Sequence, residues 1–235
     1  MLTVVDELEP EHPRNWNEAA ASCISEILEQ ISRPLAHMQK EEENIKTRIV
    51  SSNPCGPLEN DLFLNSILEG LSMIDNHFEG MVQNMNWFES DPMYWVEEWK
   101  NLGSIAAVAG IKNGNLLPLA GEDHPENTFF SASAAGADNI WRIEDNTWML
   151  QDDLTSTLIR KQSDYGHNNI ARFGRQGLIV RCHDKVARLK NLHLSRAGQA
   201  ANESIADTYT DIIGYSAIGM MWERGWFLLN LTKNT

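Results

Sequence analysis

The stretch from about Ala200 to Leu229 constrains the fold most, because its pattern predicts one long helix that is apolar on two sides. Ile205, Tyr209, Ile212 and Met220 share one face, while Gly214, Ile218 and Met221 continue another. A helix without a polar side in its second half belongs at the centre of other helices. On the same line as Gly214 and Ile218, Glu203, Asp207 and Asp211 follow at i, i+4 and i+8 and form an acidic stripe. Like charges at that spacing repel by a few tenths of a kcal/mol per pair, so a compensating cation is expected. Hard carboxylate oxygens suit magnesium, manganese or calcium better than zinc. A solvated acidic face is the plain alternative, and the two readings stand side by side at this point.

The remaining pattern is helical as well. Ala20, Ile24, Ile27, Leu28 and Ile31 mark a helix from Asn17, with Pro34 as a kink before a charged continuation through Gln39–Arg48. Ser51–Pro57 is a breaker, and Leu62, Ile67, Leu71, Ile74 and Phe78 mark a second helix from Glu59 to about Met85. Asp91-Pro92 opens a short helical run with Trp95 and Trp99. Residues 101–146 read as irregular, with short strands expected near Leu116–Leu119 and Asn139–Ile143. Helices are then expected from Thr147 to Ser163 and from Leu178 to Leu194, with a turn at 165–169 and a glycine-punctuated loop at 172–177. The expected class is all-α, an antiparallel helical bundle with an irregular middle segment. Two regions are expected, 1–146 and 147–235.

Charge narrows the function. A formal charge of −14 over 235 residues opposes sequence-independent binding to nucleic acid. A phosphorylated ligand therefore needs a bridging cation or a local Arg/Lys cluster. Cys23, Cys55 and Cys182 form no CxxC pair and suggest a reducing compartment. Neither a leader peptide nor a membrane span is visible, so a cytoplasmic protein without membrane contact is expected, in the host cytoplasm if phage-encoded. No zinc-type histidine pairing, GxSxG, Walker A or Rossmann fingerprint is present.

Two further groups could meet the acidic stripe. Arg181, Asp184, Lys185 and Arg188 lie on the helix before it, and Lys161, Asp164, Tyr165 and Gly166 lie earlier still. Arginines can clamp phosphate oxygens, and Asp184 can complete a metal shell; an intrahelical ion-pair ladder is the structural alternative. Arg172 or Arg175 would add positive charge to the same crevice, and Gly174 and Gly177 could admit phosphate to the backbone N–H groups.

The ordered set Lys161-x-x-Asp164-Tyr165-Gly166, Arg181-x-x-Asp184-Lys185-x-x-Arg188-Leu189 and Glu203-Ser-x-x-Asp207-Thr-x-x-Asp211 followed by Tyr215 resembles the first nucleotide-modification-associated domain, over about residues 150–222. That family is often encoded by bacteriophages, and the resemblance implies phage nucleotide metabolism or base modification. Its helical layout is similar to the MazG-like all-α nucleotide pyrophosphatases, which hold magnesium with ExxE and ExxD motifs. This chain departs from them, with ExxxDxxxD on the last helix and Asp184 in an Arg-rich motif. The resemblance implies catalytic roles for Asp184, Glu203 and Asp207, which with Asp211 would hold magnesium or manganese. Lys161, Asp164, Tyr165, Arg181, Lys185 and Arg188 would bind a nucleoside phosphate, and pyrophosphate release is the concrete reaction. The alternative is a non-catalytic nucleotide-binding or assembly protein in which the same residues form a buried polar network. Helices from two protomers often complete such a crevice, so a homodimer is expected.

Overall fold

The computed structural model describes residues 12–31, 58–85, 91–112, 116, 143–194 and 204–232. Among these there are seven helices and no strand: α1 (Trp16–Glu29), α2 (Leu58–Asn84), α3 (Pro92–Lys112), α4 (Ile143–Tyr165), α5 (Asn168–Ala171), α6 (Gly174–Leu194) and α7 (Ile205–Glu223). The fold is all-α, as the periodicities predict. No described helix is long and apolar enough to cross a membrane.

α7 is the hub. It packs against α3, α6, α1 and α4, and from Thr208 to Met221 only Thr210 and Tyr215 are not buried. Ser204 starts it with a capping box: its hydroxyl oxygen accepts from the Asp207 N–H, and the Asp207 carboxylate accepts from the Ser204 N–H. The helix is therefore shorter than the expected span from Ala200 to Leu229. It ends at Glu223, and Gly225 adopts φ 72°, which turns the chain away from the helix axis.

The seam between α3 and α7 corrects the reading of residues 101–112, which are helical and not irregular. Gly103 and Gly110 are poor helix formers, but in packing they let two backbones approach, with the small Ala106, Ala107 and Ala109 buried beside them. A Cβ on Gly219 would lie 2.4 Å from the Trp99 indole, and one on Gly103 would lie 3.0 Å from Ser216 Cβ. The order of these contacts makes α3 and α7 antiparallel. Trp99 itself is fully buried.

The other differences are local. α4 begins at Ile143, a turn before the expected Thr147. Arg172 and Phe173 form a turn, whereas Gly174 to Gly177 are the first turn of α6 and not a loop. Gly174 has φ 53° and seats its backbone against Trp222, where a Cβ would meet Cζ2 at 2.8 Å. The strands expected around 116–119 and 139–143, and the charged helix through 39–48, lie outside the described residues, Leu116 and Ile143 excepted.

Beyond α7, residues 226–232 run back across the start of α1. The Trp16 N–H donates to the Asn230 carbonyl at 2.9 Å, and Asn17 exchanges bonds with Thr232 at 3.1 and 3.3 Å. His167 Nε2 donates to the Leu229 carbonyl at 3.0 Å, which ties the same segment to the turn between α4 and α5.

Candidate functional site

α4 and α7 run antiparallel, with Lys161 opposite Asp211 and Leu158 against Gly214. Leu154, Thr157, Leu158, Lys161, Gln162 and Tyr165 recur at helical spacing, so they form one stripe along α4. That stripe faces Thr210, Asp211, Gly214, Tyr215 and Ile218 of α7 across a cavity of about 320 Å³. Arg181 and Lys185 enter it from α6, and Asn169 and Ile170 from α5.

Asp211 is the electrostatic centre. Its carboxylate, 8% exposed, accepts from the ammonium groups of both Lys161 and Lys185, the latter at 2.6 Å. Burial alone would raise its pKa, but the two ammonium groups outweigh burial and hold the carboxyl below its ordinary value of 3.8. Because the folded pKa lies below the unfolded one, the contribution to stability is complete above pH 3.8 and is lost as pH falls through the folded value. Acid titrations followed by circular dichroism are therefore expected to show a steeper loss of stability below about pH 4 for the wild type than for Asp211→Asn.

Among the described residues three cations and one carboxylate line the cavity, in a chain of −14. Arg181 donates to the Asn169 side-chain oxygen and pairs with no carboxylate among the described residues. Two lysines meet this one carboxylate, and Lys185 makes a further contact besides. Tyr165, 67% exposed, stands at the mouth.

Gln162 was not among the residues singled out from the sequence. It is 6% exposed, lines the cavity, and its Nε2 has no hydrogen-bond acceptor among the described residues. A buried donor of this kind costs about 1–3 kcal/mol when unmade, so an acceptor is called for. Its position one residue after Lys161 and four after Leu158 places it on the α4 stripe, and that spacing was the available signal.

The other sequence-derived candidates are dispersed. Asp184 is exposed on α6 with its carboxylate 4.0 Å from His183 Nδ1. Asp207 turns back to Ser204 in the capping box, accepting from its hydroxyl at 2.8 Å. Arg188 donates to the Thr208 hydroxyl at 3.2 Å, and Asp164 is exposed at the end of α4. Glu203 lies outside the described residues. Among the described residues no three of His, Cys, Asp and Glu gather closely enough to hold a metal ion. The Asp207 carboxylate serves as a helix cap, one turn before Asp211 is reached.

Arg175 does not join the crevice either. Both ends of its guanidinium pair with Glu223 at 2.6 Å, and it stacks over Trp95 at 4.7 Å. Arg172 sits over Phe173 and is exposed. Cys23 and Cys182 are buried free thiols; burial, the larger influence at each, raises both pKa values, Cys23 to about 12. Neither is a thiolate nucleophile at neutral pH.

No curated protein and no solved structure matches the chain. The segment that supplies Lys161, Gln162, Tyr165, Arg181, Lys185, Asp211 and Tyr215, residues 161–222, matches the family model described as nucleotide modification associated domain 1.

Proposed function

We propose that the cavity between α4, α6 and α7 binds a nucleoside phosphate, with Lys161, Arg181 and Lys185 taking the phosphate oxygens. The observation that carries this reading is the gathering of Lys161, Arg181 and Lys185 in one cavity of a strongly acidic chain, all three from the segment that matches a nucleotide-modification family. Asp211 holds two of the cations in place without cancelling them. Arg181 brings a planar donor set suited to phosphate.

Magnesium-dependent pyrophosphate release is the further step that the resemblance implies. It needs carboxylates that converge on a metal, with oxygens at about 2.0–2.1 Å. Asp211 is committed to two lysines, Asp207 to its cap, and Asp184 faces solvent. Glu203, the fourth carboxylate of that set, lies outside the described residues, and the proposed function stops at binding.

A structural reading has one observation of its own. The buried carboxylate of Asp211 is fully paired, as expected of a network that fixes the register of α4, α6 and α7. Thermal unfolding and calorimetric titration with nucleoside mono-, di- and triphosphates, with and without magnesium, separate the two. Ligand that binds the folded state raises the unfolding midpoint by mass action. Arg181→Ala is expected to weaken nucleotide binding about 10- to 100-fold, the size of one or two charge-assisted hydrogen bonds, and to leave the midpoint of the free protein nearly unchanged. Saturable binding to none of these nucleotides would leave the structural network as the account.

A further inference from the structure

α4 presents two rows of side chains to the cavity. Leu154, Leu158 and Gln162 follow at i, i+4 and i+8, and all three are buried. Thr157, Lys161 and Tyr165 form the neighbouring row, where the Lys161 side chain is 40% exposed and Tyr165 stands open at the mouth. The cavity therefore has a deep wall and a rim. Gly214 and Ile218 of α7 close the deep side, and a Cβ on Gly214 would lie 3.3 Å from Leu158 Cδ1.

The wall and the rim suit different chemistry. Lys161 with Arg181 and Lys185 of α6 suits an anion at the rim. Leu154, Leu158 and Ile218 suit a flat group with apolar faces. A sugar set against them would strip water from its hydroxyls without giving them partners. A nucleobase lays its faces on aliphatic carbon and keeps its polar atoms at its edge.

Gln162 supplies the second, independent observation. Its Nε2 is covered and lacks an acceptor among the described residues, in a side chain that lines the cavity and ends the apolar row. A buried donor left unmade is costly. The terminal torsion of a glutamine is broad, so the amide can turn its donor toward a ligand without leaving its rotamer. A ring nitrogen or carbonyl oxygen at the edge of a base supplies the acceptor.

Resting on the nucleotide binding proposed above, we infer that the cavity reads the base. The base lies against Leu154, Leu158 and Ile218, its edge accepts a hydrogen bond from Gln162 Nε2, and the phosphate stays with the cations at the rim. Gln162 is the specificity-determining residue in this arrangement, because the cations hold a group that all nucleotides share.

The test is isothermal titration of the full chain with the adenine, guanine, cytosine, uracil and thymine nucleotides and with ribose 5-phosphate. Each nucleotide is supplied as mono-, di- and triphosphate, with and without magnesium. The best-bound nucleotide is expected to bind at least tenfold more tightly than ribose 5-phosphate. Gln162→Met keeps the length of the side chain and removes the donor. It is expected to weaken the best-bound nucleotide about tenfold and the nucleotide of the least favoured base within about twofold, so that base preference collapses. The least favoured nucleotide also reports that the cations of the variant are intact. Ribose 5-phosphate that binds as tightly as the best nucleotide overturns the inference while nucleotide binding stands. A loss in Gln162→Met that is equal for all bases, or no loss, overturns the role given to Gln162. Failure of every nucleotide to bind removes the proposed function itself.

Discussion

Asp211→Asn is expected to destabilise the free protein and to tighten its hold on phosphate, two effects that rarely come from one substitution. The carboxylate is 8% exposed and anchors both Lys161 and Lys185. Removing one partner of a buried ion pair costs about 3–5 kcal/mol. The Lys161 side chain is 40% exposed and keeps part of its hydration, so about 2–3 kcal/mol is the expected loss. The lining meanwhile loses its one described carboxylate. Affinity for a phosphate anion is expected to rise about tenfold, equivalent to ~1.4 kcal/mol. Chemical denaturation with and without phosphate measures both quantities in one series. A purely structural network predicts the destabilisation alone, without any gain in anion affinity.

Gly219→Ala is the second large effect, and it acts far from the charged groups. The added Cβ would lie 2.4–2.6 Å from three atoms of the Trp99 indole, in a seam where both side chain and backbone are buried. An indole ring cannot fold away as a flexible chain end can. α3 and α7 must separate, or Trp99 must leave its rotamer, and overpacking of this kind costs about 1–3 kcal/mol, with the upper end expected here. In a protein of this size about 3 kcal/mol lowers the midpoint by roughly 6–12 °C. Trp99→Phe, costly alone, should recover part of the loss in combination, and calorimetry of the double-mutant cycle would show the coupling. Additive losses would mean that the seam had relaxed elsewhere.

The contrast between these two positions explains what could be read from the chain. The all-round apolar pattern of α7 announced a buried central helix, and Asp211 within it had to meet compensation inside the fold. The compensation came from Lys161 and Lys185, 50 and 26 positions earlier, and periodicity alone does not report such distant contacts. Asp207 has a local role that its i+4 spacing does not report: Ser204 three residues before it makes the Ser-x-x-Asp segment a capping box. α3 was misread through propensity. Gly103 and Gly110 lower helix preference, whereas in the fold they permit close approach to α7. Gln162 stayed hidden because an unmade hydrogen bond is a property of surroundings and has no trace in composition.

The segment that crosses the start of α1 bears on how the molecule is made. Asn17 and Thr232 are 215 positions apart, so the ribosome delivers α1 long before the residues that fasten it. At about 5–20 residues per second the interval is roughly 10–40 s. Throughout it, Trp16, Cys23, Ile24, Ile27 and Leu28 have neither α7 nor the fastening segment to cover them. Until then, among the described helices, α1 can pack only against α3 and α4, and its burial is completed last.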